Sequence, residues 1–134
     1  MSIGQVAMID SPPAIIIEHD PGGQLGEYIE RRGRYERGGL RVEIRGECLS
    51  SCTVLVSLPP ERVCVGPHAV LGFHLPVQTY AGVQTASGSS YFGSVMMEYY
   101  PERVKQWVVT HGGLTHEMIY LRGDELRGMF RSCQ

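Results

Sequence analysis

Cys48-Leu49-Ser50-Ser51-Cys52 runs straight into Thr53-Val54-Leu55-Val56-Ser57-Leu58, an apolar stretch with Gly46 ahead of it and Pro59-Pro60 behind it. Those bounds predict a buried helix that opens at Ser50. Later in the chain stands Gly72-Phe73-His74-Leu75-Pro76. A serine hydroxyl is a poor nucleophile at neutral pH, so hydrolysis through it needs an imidazole to take the proton and donors to hold the oxyanion. Ser50 and His74 are therefore read as nucleophile and general base, provided the fold closes the interval between them.

The oxyanion donors are sought in the backbone. A helix N-terminus offers free N–H groups and the positive end of the dipole, which makes the Ser51 amide one donor. Asp20-Pro21-Gly22-Gly23 follows the strand-like Ala14-Ile15-Ile16-Ile17. Glycine backbone can approach a substrate closely, so Gly22 and Gly23 are the candidates for the second donor.

Working outward, the elements alternate. Residues 14–18 read as a buried strand, 24–35 as a helix with Leu25 and Ile29 inward, and Leu40, Val42 and Ile44 as an alternating strand. The Ser50 helix follows, then short strands at 63–65 and 70–73, which makes a β-α-β succession. Residues 78–90 read as a Gly/Ser/Thr-rich loop, and 91–100 and 102–110 as helices parted at Pro101 and stopped by Gly112-Gly113. The remainder reads as a helical tail with turns at Gly123 and Gly128. With no repeat and no linker, residues 1–134 are read as a single domain.

In this order the pieces resemble the Clp protease proteolytic subunit (ClpP) and the wider crotonase-like superfamily. The resemblance rests on Asp20-Pro21-Gly22-Gly23, Gly46-Glu47-Cys48-Leu49-Ser50, Arg62, Pro67-His68-Ala69 and His74-Leu75-Pro76. It covers roughly residues 14 to 76 and is nearest to a bacterial branch with Cys-x-Ser-x-Cys and Gly-Phe-His motifs. It implies an α/β, ClpP/crotonase-like fold of stacked β-α-β units, with a small mostly parallel sheet and flanking helices, trimmed at its N-terminus. It also implies a serine hydrolase of the peptidase kind that takes a peptide or protein substrate, needs no cofactor and assembles as a homo-oligomer. The alternative is a non-catalytic assembly or peptide-binding module on the same fold. The family's third catalytic residue, an Asp, falls on Asp124 by interval. By local pattern it falls near Met118, with Glu117 the nearest carboxylate, and a Ser/His dyad is the remaining option.

Composition bounds the partners. A formal charge of −2 from 12 basic and 14 acidic residues gives no reason to expect nucleic acid or an anionic membrane. Arg31, Arg32, Arg34 and Arg37 are interleaved with Glu27, Glu30 and Glu36, as on a solvated helix face. No apolar run approaches the ~18 residues that span a bilayer, so no membrane insertion is expected. Tyr91, Phe92, Val95, Met96 and Tyr99 form an apolar stripe that the oligomer is expected to use. Residues 1–10 lack a basic region followed by an apolar core, which reads as cytoplasmic on the chain as written and periplasmic if an export signal precedes it.

The cysteines carry a rival reading. Cys48, Cys52, Cys64 and His68 have a spacing that a small zinc domain could use, although the apolar run between them argues against it. A disulfide of Cys133 with Cys48, Cys52 or Cys64 is favoured in an oxidising compartment, and no metal is expected.

Overall fold

The computed structural model describes residues 13–76, 79–80, 83–84 and 86–134. Its organising element is β2, Arg41–Leu49, in which Val42 and Ile44 point into the core while Arg41, Glu43 and Arg45 form a charged ladder on the other face. This period-2 alternation specifies the register, because a one-residue slip would bury the charges. β1, Ala14–Asp20, runs parallel along one side of β2, from Ala14 opposite Arg41 to Asp20 opposite Cys48.

The other side of β2 is shared. β3, Val63–Val65, pairs its first half, and β4, Val70–Phe73, pairs its second, with Leu49 opposite Gly72. β3 and β4 thus follow one another along the same edge of β2, with the Gly66 N–H still bonded to the Ile44 carbonyl. Thr79–Tyr80 and Val83–Gln84 pair as a separate two-stranded ribbon, β5 and β6. β7, Ile119–Arg122, adds antiparallel to β4, and β8, Arg131–Ser132, adds parallel to β3. The result is a mixed α/β fold with a curled, mostly parallel sheet and flanking helices.

The helices follow from their own patterns. α1, Leu25–Arg37, buries Leu25 and Tyr28, and lines its outer face with Glu27–Arg31, Glu30–Arg34 and Arg32–Glu36 pairs at 3.2 to 3.3 Å. It ends at Gly38-Gly39, where Gly39 takes φ +69 and the Leu40 N–H returns to the Tyr35 carbonyl. α2 is Ala86–Tyr99, α3 is Glu102–Thr110 and α4 is Gly123–Arg127. The apolar run at Ser50–Ser57 is a 3-10 helix buried on all sides, with Val54, Leu55 and Val56 at 0 to 1% exposure. Deep burial leaves its carbonyls dependent on protein partners, and Thr53 and Ser57 supply two of them through hydroxyl bonds to Ser50 O and Val54 O.

The fold corrects several expectations. β2 extends to Leu49, so Gly46–Leu49 is strand and not the approach to a helix. α2 begins inside the stretch read as loop, while residues 78, 81–82 and 85 of that stretch, together with residues 1–12 and 77, lie outside the described residues. The tail read as helical holds β7 and β8 around the short α4. The apolar stripe of α2 turns largely inward: Met96 is fully buried, Phe92, Val95 and Tyr99 pack against the core, and Tyr91 remains exposed. Among the described residues no helix is long and apolar enough to cross a membrane.

Candidate functional site

Three neighbouring parallel strands, β1, β2 and β4, end on the same edge of the sheet, which is where parallel sheets place their ligand sites. Asp20-Pro21-Gly22-Gly23 continues from β1, Ser50 from β2 and His74 from β4. A cleft of about 700 Å³ opens there, and Gly22, Gly23, Ser50, His74 and Phe92 are among its lining. The register therefore closes the sequence interval between Ser50 and His74.

Ser50 sits at the strand-to-helix junction with φ 57, the only non-glycine residue with positive φ among the described residues. The left-handed region costs an L-residue roughly 1–2 kcal/mol, so the surrounding structure must hold it there. A Cys48–Cys52 disulfide straddles it, both cysteines fully buried. His74 is half-buried, and its Nδ1 lies against the Leu75 carbonyl. Since a carbonyl only accepts, Nδ1 carries the proton and Nε2 of the neutral ring is left as the basic nitrogen. No hydrogen bond joins His74 to Ser50.

The backbone around the Gly-Gly turn is closely fitted. Gly22 takes φ +88, and a Cβ there would lie 2.7 Å from the Leu49 carbonyl oxygen and 2.9 Å from Ser50 Cβ. The Gly22 N–H donates to Asp20 Oδ1 at 2.9 Å. The Gly23 N–H donates to Ser51 Oγ at 2.7 Å, and that hydroxyl in turn donates to Gly23 O. Both expected glycine donors are thus already engaged. Ser51 N–H precedes the first i→i+3 bond of the 3-10 helix and has no intrahelical acceptor, which leaves it as the free donor of the three.

Asp20 anchors the turn to α1. Its Oδ1 also accepts from the Tyr28 hydroxyl at 2.6 Å, and Arg31 lies 3.9 Å from its other oxygen. Burial pushes the Tyr28 phenol up to about 12, helped by the hydrogen bond and negative charge of Asp20 and opposed by Arg31. Asp20 was visible in the sequence only as part of a turn, and Tyr28 only as a residue of a helix.

Asp124 is not brought to the site. β7 pairs Ile119 with Phe73 and Arg122 with Val70, so Asp124 lies beyond the opposite end of β4 from His74, the length of the strand away, about 10 Å or more. It is fully exposed and paired with Arg127 at 2.6 Å. Glu117 is exposed on the segment whose Thr115 carbonyl accepts from Leu75 N–H at 2.7 Å. The zinc spacing is not assembled: Cys48 is bonded to Cys52, Cys64 to Cys133, and His68 is exposed. Pairing of Cys64 with Cys133 is among the expected disulfides.

No protein-family model and no curated protein matches this chain. Among solved structures, one called "Crystal structure of an Enzyme" is similar to it at 10% sequence identity, with a TM-score of 0.56 over 96% of this chain and 80% of that one. At that identity the likeness concerns the fold alone.

Proposed function

We propose that this chain is a serine hydrolase of ClpP/crotonase-like fold, acting on a peptide or protein substrate. The observation that carries the reading is Ser50, held in a left-handed conformation on a cleft it shares with His74. Strained serines at strand-to-helix turns are how a hydroxyl is presented to substrate above a sheet. In this reading Ser50 Oγ attacks the substrate carbonyl carbon while His74 Nε2 takes its proton. Ser51 N–H donates to the oxyanion. Collapse of the tetrahedral species breaks the carbonyl–nitrogen bond, His74 returns the proton to the leaving amine, and water then releases the acyl group by the reverse route. The Ser50–His74 hydrogen bond forms in the substrate complex, as catalytic contacts in free enzymes commonly tighten on binding. The Leu75 carbonyl takes the part of a third residue by orienting the ring, which makes the site a dyad. No cofactor enters this scheme, and the two disulfides favour an oxidising compartment.

A second reading has its own support. Engagement of the Gly22 and Gly23 amides leaves one free oxyanion donor of the three, an arrangement that suits a peptide-binding module that keeps the fold without turnover. A fluorophosphonate probe separates the two. Labelling at Ser50, absent in Ser50→Ala and in His74→Ala, supports the hydrolase. An unlabelled native protein that still retains peptide on the cleft supports the binding module.

A further inference from the structure

Resting on the reading of Ser50 as nucleophile, we infer that Tyr100 and Thr53 are positioning residues that hold Ser50 in its reactive conformation through a relay of two buried hydroxyls. Thr53 Oγ1 lies 2.5 Å from Ser50 O and 2.5 Å from Tyr100 Oη, and Thr53 and Tyr100 are 0% and 3% exposed. A hydroxyl has one proton, and the Ser50 carbonyl can only accept. Thr53 therefore donates to Ser50 O, and Tyr100 donates to Thr53. The chain of donors has one direction, and it ends on the peptide unit of the one described non-glycine residue with positive φ.

Tyr100 reaches the other half of the site as well. Its ring packs edge-on against Phe73 at 5.2 Å, and Phe73 is the strand residue immediately before His74. One side chain thus braces the carbonyl of the nucleophile through its hydroxyl and the strand end that carries the base through its ring. Burial raises the Tyr100 phenol well above its ordinary range, so the hydroxyl keeps its proton throughout the working pH range. A threonine bonded back to the i−3 carbonyl is common in helices and needs no further explanation. The second hydroxyl does need one, because a phenylalanine would fill the same space with no polar group to satisfy.

The test measures second-order labelling of Ser50 by a fluorophosphonate, resolved into probe affinity and bond-forming rate, alongside the melting temperature. Thr53→Val should slow the bond-forming rate roughly tenfold or more with probe affinity unchanged, and should lower the melting temperature by stranding the Tyr100 hydroxyl. Thr53→Ser, which keeps the hydroxyl, should label at the native rate. The Thr53→Val/Tyr100→Phe double variant removes both buried polar groups. It should regain most of the lost stability while its labelling stays slow. A double variant that labels at the native rate overturns the relay while leaving Ser50 as nucleophile. Labelling and melting temperature that fall and recover together also overturn it, marking the pair as packing. Native protein that never labels at Ser50 ends the parent reading and this one with it.

Discussion

The Ser51 hydroxyl and the Gly23 peptide are hydrogen-bonded in both directions, Ser51 Oγ accepting from Gly23 N–H and donating to Gly23 O, each at 2.7 Å. Ser51 thereby staples the turn after β1 to the first turn of the 3-10 helix, and it has no exposed surface from which to attack a substrate. The two adjacent serines should separate cleanly on mutation. Ser50→Ala should abolish covalent labelling with little change in stability. Ser51→Ala should cost about 1–3 kcal/mol in urea denaturation, through two unpaired peptide groups, and should still label. Loss of labelling in Ser51→Ala with labelling retained in Ser50→Ala would reverse the assignment.

Two glycines should prove intolerant of alanine for different reasons. At Gly46 a Cβ would lie 2.0 Å from the Glu18 carbonyl oxygen, across the parallel β1–β2 pair where the register shifts between Ile17 and His19. Backbone cannot move aside as a side-chain tip can, so Gly46→Ala should cost about 3 kcal/mol or more and loosen β1 as a whole. At Gly22 the positive φ and the contact with the Leu49 carbonyl and Ser50 Cβ add, and Gly22→Ala should cost at least about 2 kcal/mol and lose labelling. Denaturant midpoints near the native value for both would show that the strand ends do not converge as described.

The two disulfides should divide stability from function. Cys64 and Cys133 are 69 residues apart and Cys48 and Cys52 four, so chain-entropy arguments assign about 4 kcal/mol to the first and about 2 to the second. Cys64→Ser/Cys133→Ser should therefore lower the melting temperature more. Cys48→Ser/Cys52→Ser should slow labelling of Ser50 more, because that bridge spans the strained residue. Equal effects of both pairs on the labelling rate would deny the short bridge any special hold on Ser50.

Much of this was legible in the sequence, and what was not has identifiable causes. The alternation of Val42 and Ile44, the Gly-Gly turn after an apolar strand, and the serine ahead of a buried run place β1, β2 and the Ser50 junction within a few residues. β2 reads short in the sequence because Gly46 breaks the apolar alternation that Cys48 resumes, and β7 and β8 escape because strands of four and two residues beside a glycine-led turn carry almost no periodic signal. A carboxylate can be sought in a sequence by residue type, whereas a backbone carbonyl such as the Leu75 oxygen that meets His74 Nδ1 has no residue type by which to be found. Thr53 and Tyr100 meet across 47 positions of chain, a contact that only the packing of α2 onto the 3-10 helix creates.

Assembly remains a prediction of its own. Met96 and Tyr100 turn into the core, so the apolar surface left for a partner is narrower than the stripe suggested. Tyr91 at 64% exposure is the member of the stripe left exposed, beside Val109 at 66% on α3 and Ile16 at 54% on the β1 edge. A homo-oligomer using the Tyr91 face should appear in light scattering at micromolar concentration and weaken in Tyr91→Glu, since burying that carboxylate costs more than the ring contributes. A species that stays monomeric on concentration would end the expectation and leave the cleft open to bulk solvent.

Tyr28 gives a prediction in the alkaline range. Its phenol is pushed up to about 12 in the folded protein, first by burial and then by the Asp20 carboxylate that its hydroxyl meets, against an ordinary value of 10.0. The folded state therefore favours the neutral phenol. The unfolded chain gives up that proton first, so the associated stability is complete below about pH 10 and is lost as pH rises from there through about 12. Urea denaturation should show this decline in the native protein, and Tyr28→Phe should be less stable at neutral pH but flatter across the same interval. Because Tyr28 and the Gly22 N–H share Asp20 Oδ1, the variant should also loosen the Gly-Gly turn and slow Ser50 labelling without abolishing it. A native protein whose stability falls no more steeply than that of Tyr28→Phe between pH 10 and 12 would show that the phenol is not buried against Asp20 as described.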